Sequence, residues 1–179
     1  MKRTALFVLS LAFWPACGEV PDSVESVANP LVGVMQYGNC TPDEETKLQA
    51  AVQILVEITG TQYSPGARYP EYEACLASAA FVENGSWSGT QIANLLRMNT
   101  VTKMWCWDLP PDTVAQAWEQ LFNGEEVYFN KTYIASLPPR SIAAVIGHEL
   151  MHNRGFLHTV NDAGSLRYQN TVPAQVRAC

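Results

Sequence analysis

The sequence predicts an α+β domain rich in helix, on three observations. Apolar residues recur at three- and four-residue spacing in several segments, the mark of helices that bury one face. Two short runs, near 101–107 and 126–130, are rich in β-branched and aromatic residues and bounded by turn formers, the mark of strands. From Ile142 to Ile146 a further helix is apolar nearly all round, so it must be enclosed, packed on the small mixed sheet those strands build.

The 179 residues carry 11 basic and 17 acidic side chains, a net charge of −6. Lys2 and Arg3 precede an apolar run from Ala5 to Phe13, too short to span a bilayer, and residues 1–16 read as a secretory signal peptide. Trp14-Pro15-Ala16-Cys17-Gly18 resembles a bacterial lipoprotein cleavage site, which makes Cys17 the expected lipid-attachment residue. Simple secretion is the alternative. Losing the leader removes two basic residues and no acid, so the remainder is more acidic still, which argues against nucleic acid and anionic membrane surfaces as partners. Any membrane contact is then through the lipid anchor alone. Residues 17–39, with Pro21, Asp22, Asn29, Pro30 and Gly33, read as the anchor and its tether, although Leu31, Val32, Val34 and Met35 could start a strand. Residues 40–179 form one domain. Its Cys40, Cys75, Cys106 and Cys179 make an even set suited to an oxidising compartment, so two disulfides are expected, with three connectivities open.

The domain opens with its best-marked helix. Thr41 caps it, Pro42 suits the first turn and Glu44 closes a capping box, while Leu48, Ala51, Val52, Leu55 and Ile58 form a stripe that ends near Gly60. Residues 61–70, with Pro65, Gly66 and Pro70, read as a loop, Glu71 to Val82 as a helix carrying Cys75, and Asn84-Gly85-Ser86 as a turn. Ser88 and Gln91 mark the start of a helix over Thr90 to Met98. Val101 to Trp107 reads as a strand with Trp105 and Trp107 on one face, packed as core aromatics, and Cys106 on the other. Pro110-Pro111 ends it, and Asp112 or Thr113 begins a helix through Phe122. Glu126 to Asn130 is a short strand. Leu137-Pro138-Pro139-Arg140 starts the apolar helix, since proline suits a first turn.

That helix carries the chemistry. His148, His152 and His158 are the only histidines in the chain, and three scattered at random take these offsets about twice in ten thousand tries. Residues four apart on a helix lie about 40° apart around it and roughly 6 Å along it, so two imidazoles can converge on one metal ion. Glu149 sits near the same face. Gly155 allows the positive φ with which a helix ends sharply, so that the chain can turn back and deliver His158. Gly147 permits close packing beside the first histidine.

The string His148-Glu149-Leu150-Met151-His152-Asn153-Arg154-Gly155-Phe156-Leu157-His158 resembles the HExxHxxGxxH signature of the metzincin zinc endopeptidases, closest to the astacin branch. The resemblance covers eleven residues. It implies a zincin-like fold, one catalytic Zn2+ held by His148, His152 and His158, and Glu149 as the general base for a zinc-activated water that attacks a peptide bond. Metzincins also carry a methionine turn downstream, and this chain has no methionine after Met151. Gly164-Ser165-Leu166-Arg167-Tyr168 is similar to the astacin pattern SxMxY, so Leu166 stands where the methionine would be and Tyr168 where a tyrosine binds the metal or stabilises the transition state. The strand at 126–130 would be the cleft rim on which an extended peptide pairs. Asn153, Asp162 and backbone carbonyls are candidate partners for the second nitrogen of each histidine.

The expectation is an exported, monomeric zinc-dependent endopeptidase acting on a peptide or protein. Its alternatives are a cell-wall peptide hydrolase and a lipoprotein binding module with a structural or inactive zinc site.

Overall fold

The computed structural model describes residues 36–61, 64–66, 68–79, 81, 87–98, 103–117, 126–158 and 165–179. The leader, Cys17, the Asn84-Gly85-Ser86 turn and Asp162 lie outside them. In chain order the elements are β1 (Gln36–Gly38), α1 (Pro42–Thr59), β2 (Gly60–Thr61), β3 (Ser64–Pro65), α2 (Tyr69–Ser78), α3 (Gly89–Met98), β4 (Lys103–Trp107), β5 (Ala115–Ala117), β6 (Glu126–Asn130), α4 (Lys131–Ser136), α5 (Pro139–Asn153), α6 (Leu166–Gln169) and α7 (Val172–Ala178). The fold is α+β and helix-rich, with a small mixed sheet. No helix among these residues is long and apolar enough to cross a membrane.

Period-two alternation builds the sheet, whose order is β1-β4-β6-β5. β1, β4 and β6 run parallel, and β5 is antiparallel on β6. One face of the central pair buries Met104, Cys106, Val127 and Phe129 against the helices. The other carries Trp105 stacked on its cross-strand neighbour Tyr128, Trp107 edge-on to Tyr128, and a Lys103–Glu126 ion pair at 3.3 Å. The tryptophans therefore pack on the outer face, Trp107 being 40% exposed, and the buried face belongs to Cys106. The sheet also includes β1 at Gln36–Gly38, so a strand lies inside the segment read as tether.

Over the described residues 112–117, the helix predicted from Asp112 or Thr113 does not form, and its remainder to Phe122 lies outside the described residues. Ala115–Ala117 is a strand because tertiary contacts override local propensity. Asn130 donates from Nδ2 to the carbonyls of Leu109, Pro110 and Thr113, and the Asn130 N–H bonds Val114 O, fixing the approach of this segment to β6. The same Asn130 caps α4, its Oδ1 accepting from Thr132 N. Consequently β6 is an interior strand. Among the described residues the edge strand on this side of the sheet is β5.

The helices hold closer to expectation. Thr41 and Glu44 form the capping box of α1, and Ser88 and Gln91 bond reciprocally at the head of α3. α2 starts two residues earlier than predicted, at Tyr69, and ends four earlier, at Ser78, and the predicted loop at 61–70 carries most of the β2–β3 hairpin, which begins at Gly60. Cys40–Cys106 ties the head of α1 to β4, and Cys75–Cys179 ties α2 to the chain end. α5 lies at the centre, with Ile142, Ala143 and every residue from Val145 to His152 buried, packed on α1 and α7 and touching β5 and β6. A Cβ on Gly147 would stand 3.1 Å from Val176 Cγ1, so glycine lets α7 approach beside His148.

Candidate metal centre

His148 and His152 stand one turn apart near the C-terminal end of α5, only 2% and 4% exposed. The helix then stops in a Schellman turn. Gly155 takes φ +85°, its N–H bonding His152 O at 2.9 Å, while the Phe156 N–H bonds Met151 O at 3.1 Å. No atom lies within 4 Å of a Cβ built on Gly155, so backbone conformation rather than space demands glycine there. This turn puts the Phe156 carbonyl 2.7 Å from Nδ1 of His152 and leads the chain to His158. The three imidazole centroids form an equilateral triangle with sides of 4.9 Å.

Proton bookkeeping shows what the triangle presents. A carbonyl only accepts, so Nδ1 of His152 carries a proton and its Nε2 a lone pair. Thr171 Oγ1 donates to Tyr168 O at 2.8 Å and lies 2.7 Å from Nδ1 of His158. It therefore accepts from that nitrogen, and Nε2 of His158 also carries a lone pair. Both lone pairs meet Nε2 of His148, at 3.2 and 3.1 Å. One proton on His148 satisfies one of them, whereas a cation satisfies all three nitrogens together. Desolvation keeps the rings neutral. It pulls His152 down to about 4 and His158 to about 3, and His148 falls well below its ordinary value with the neighbouring imidazoles adding to the effect. Nδ1 of His148 faces the Pro173 backbone without closing a full hydrogen bond. Among the described residues this buried trio is the cluster that could hold a metal ion.

Glu149 is 3% exposed, and its Oε2 has no hydrogen-bond partner. Burial raises its carboxyl to about 8, with the Ala117 backbone and Arg177 pulling the other way. The edge strand β5 thus reaches the predicted base, which sequence reasoning had not placed there.

Tyr168 is at the centre too. Its ring stacks on His158 with centroids 3.9 Å apart and planes at 14°, and burial raises its hydroxyl to about 12. Leu166 is not beneath the metal site: it is 76% exposed. Ser165 caps the single turn of α6, its Oγ accepting from Tyr168 N, and two residues along a helix are about 200° apart. With Tyr168 turned inward, Leu166 must point to solvent. Tyr168 supplies the flat surface against the third histidine.

Of the anticipated partners, a backbone carbonyl does serve His152, whereas Asn153 is engaged elsewhere. Asn153 donates to Glu126 O at 3.3 Å and ties the end of α5 to β6. Thr171 was not anticipated at all. In sequence, Thr171-Val172-Pro173 signals a helix start, yet the hydroxyl makes no cap bond to its own helix and serves His158 instead. No family model, no curated protein and no solved structure matches this chain.

Proposed function

We propose that this protein is an exported zinc-dependent endopeptidase of metzincin kind, with His148, His152 and His158 as ligands and Glu149 as general base. The donor chemistry fits zinc. Tetrahedral bonds of about 2.0–2.1 Å need ligand nitrogens roughly 3.3 Å apart, close to the 3.1 and 3.2 Å separations here. Cys40, Cys75, Cys106 and Cys179 are all in disulfides, which removes them as thiolate ligands. Three protein ligands leave a fourth position, the mark of catalytic rather than structural zinc. When bound, the metal supplies Lewis acidity that polarises a peptide carbonyl and brings the pKa of water to about 7.

The observation that carries the reading is the Glu149 carboxylate, buried beside the trio with Oε2 free of any hydrogen bond. A structural site has no use for such a base. Burial alone keeps this carboxyl largely protonated at neutral pH, and the positive charge of a bound metal would favour its ionised form, in which Glu149 Oε2 would take the proton of the attacking water and return it to the leaving amine nitrogen. Tyr168 keeps its proton at neutral pH and restrains the His158 ring by stacking, so its role is that of a hydroxyl donor. Among the described residues β5 pairs with β6 alone, and an extended peptide added along its other edge would run past Glu149. The two disulfides suit an oxidising compartment and support export.

The test is cleavage of a peptide library by the zinc-loaded chain and by Glu149→Gln. Zinc content is expected to be equal, with kcat/KM lower in the variant by about 100- to 10,000-fold. Zinc binding without any cleavage by the wild type would assign the centre a structural role.

A further inference from the structure

We infer that residues 171–179 are a positioning element for the metal ligands, latched by the Cys75–Cys179 bond, so that the oxidation state of this bond sets the affinity of the centre for zinc. The inference rests on reading the histidine trio as a zinc centre.

Thr171 is fully buried, and both of its hydroxyl contacts are spent on the site, one accepting from His158 and one donating to Tyr168 O. Pro173 backs His148, and Val176 fills the space left by Gly147. One short segment therefore supports two of the three ligands. α7 has seven residues, too few to persist as an isolated helix. Its attachments include the packing on α5, a bond from the Tyr72 hydroxyl to Val176 O at 2.9 Å, a bond from Gln175 Nε2 to Gln169 O at 2.7 Å, and the disulfide at Cys179, the residue that follows it.

The two disulfides differ in access. Cys106 is wholly buried, whereas Cys75 is exposed and Cys179 half-buried. A dithiol that gives two electrons and two protons converts Cys75–Cys179 to two thiols and becomes a disulfide itself. The tail is then free to fray from α5, Thr171 leaves Nδ1 of His158, and that ring loses its orientation. Losing a partner of this kind weakens metal binding by about 10- to 100-fold. A chain still in a reducing compartment would hold zinc poorly, and oxidation would complete the centre.

The test is the zinc dissociation constant, measured by competition with a chromophoric chelator. The proteins compared are the wild type, Cys75→Ser/Cys179→Ser, Cys40→Ser/Cys106→Ser, Thr171→Val and Thr171→Ser, the serine pairs avoiding new thiol ligands. The 75/179 pair and Thr171→Val are expected to bind about 10- to 100-fold more weakly, with the 40/106 pair and Thr171→Ser close to wild type. Unchanged affinity in the 75/179 pair, equal loss in both pairs, or unchanged affinity in Thr171→Val would each overturn the inference. Should the 75/179 pair fail to fold by circular dichroism, Thr171→Val against Thr171→Ser decides. A wild type that binds no zinc overturns the zinc reading as well, so the two failures are distinguishable.

Discussion

His148 and His152 are held within a helix buried at every turn, whereas His158 lies beyond the end of that helix, where Thr171 and Tyr168 meet it. α5 is enclosed by α1, α7 and the edge of the sheet, and losing one contact leaves many others. On the far side, the Thr171 hydroxyl meets His158, Tyr168 stacks on its ring, and the Cys75–Cys179 disulfide ties down the segment that carries Thr171. The chain-entropy values of the two disulfides are alike, roughly 4 and 5 kcal/mol for loops of 66 and 104 residues. A difference in metal affinity on removing each would report its place in the fold rather than its general stabilisation. The comparison teaches that a metal centre can be rigid on one side and conditional on the other.

The largest stability effect of a single substitution should come from the rigid side. Ile146 is fully buried in α5, and Ile146→Ala should cost about 2–5 kcal/mol, read as a shift in urea midpoint. A loss below about 1 kcal/mol would mean that α5 is less tightly enclosed than its burial indicates.

Acid should act through all three ligands in the chelator-treated chain. Their folded pKa values lie below the ordinary 6.5, so the unfolded chain binds more protons as pH falls from 6.5 toward 4. Stability is complete above that window and declines within it, by up to about 1.4 kcal/mol per pH unit for each imidazole. Denaturant titrations across the window check this. A flat profile would mean that the rings are not desolvated together.

The smallest effect should be at Leu166, whose exposure separates it from the buried Tyr168 two residues on. Leu166→Ala should stay within about 0.5 kcal/mol of wild type and leave zinc affinity unchanged. A substantial loss of either would restore this side chain to the role that the methionine-turn resemblance implies.

What was legible in the sequence follows the same division. The helices α1, α3 and α5 were readable because capping pairs and apolar spacing are local. His148, His152 and Glu149 were readable because helical spacing brings them together, and His158 because Gly155 marks the turn that returns the chain. β5 was misread as helix because its conformation is decided by Asn130 and β6, more than ten residues away. Thr171 was invisible for the same reason: nothing near it in sequence points to a histidine thirteen positions earlier. The pattern SxLxY located Tyr168 correctly but assigned Leu166 the wrong side of a one-turn helix.

X-ray absorption at the zinc edge of the loaded full chain tests the central claim most directly. Three imidazole nitrogens and one light non-protein ligand at about 2.0–2.1 Å are predicted, with zinc lost from His158→Ala. A fourth protein ligand closing the coordination sphere, or zinc retained with its spectrum unchanged in His158→Ala, would contradict the account.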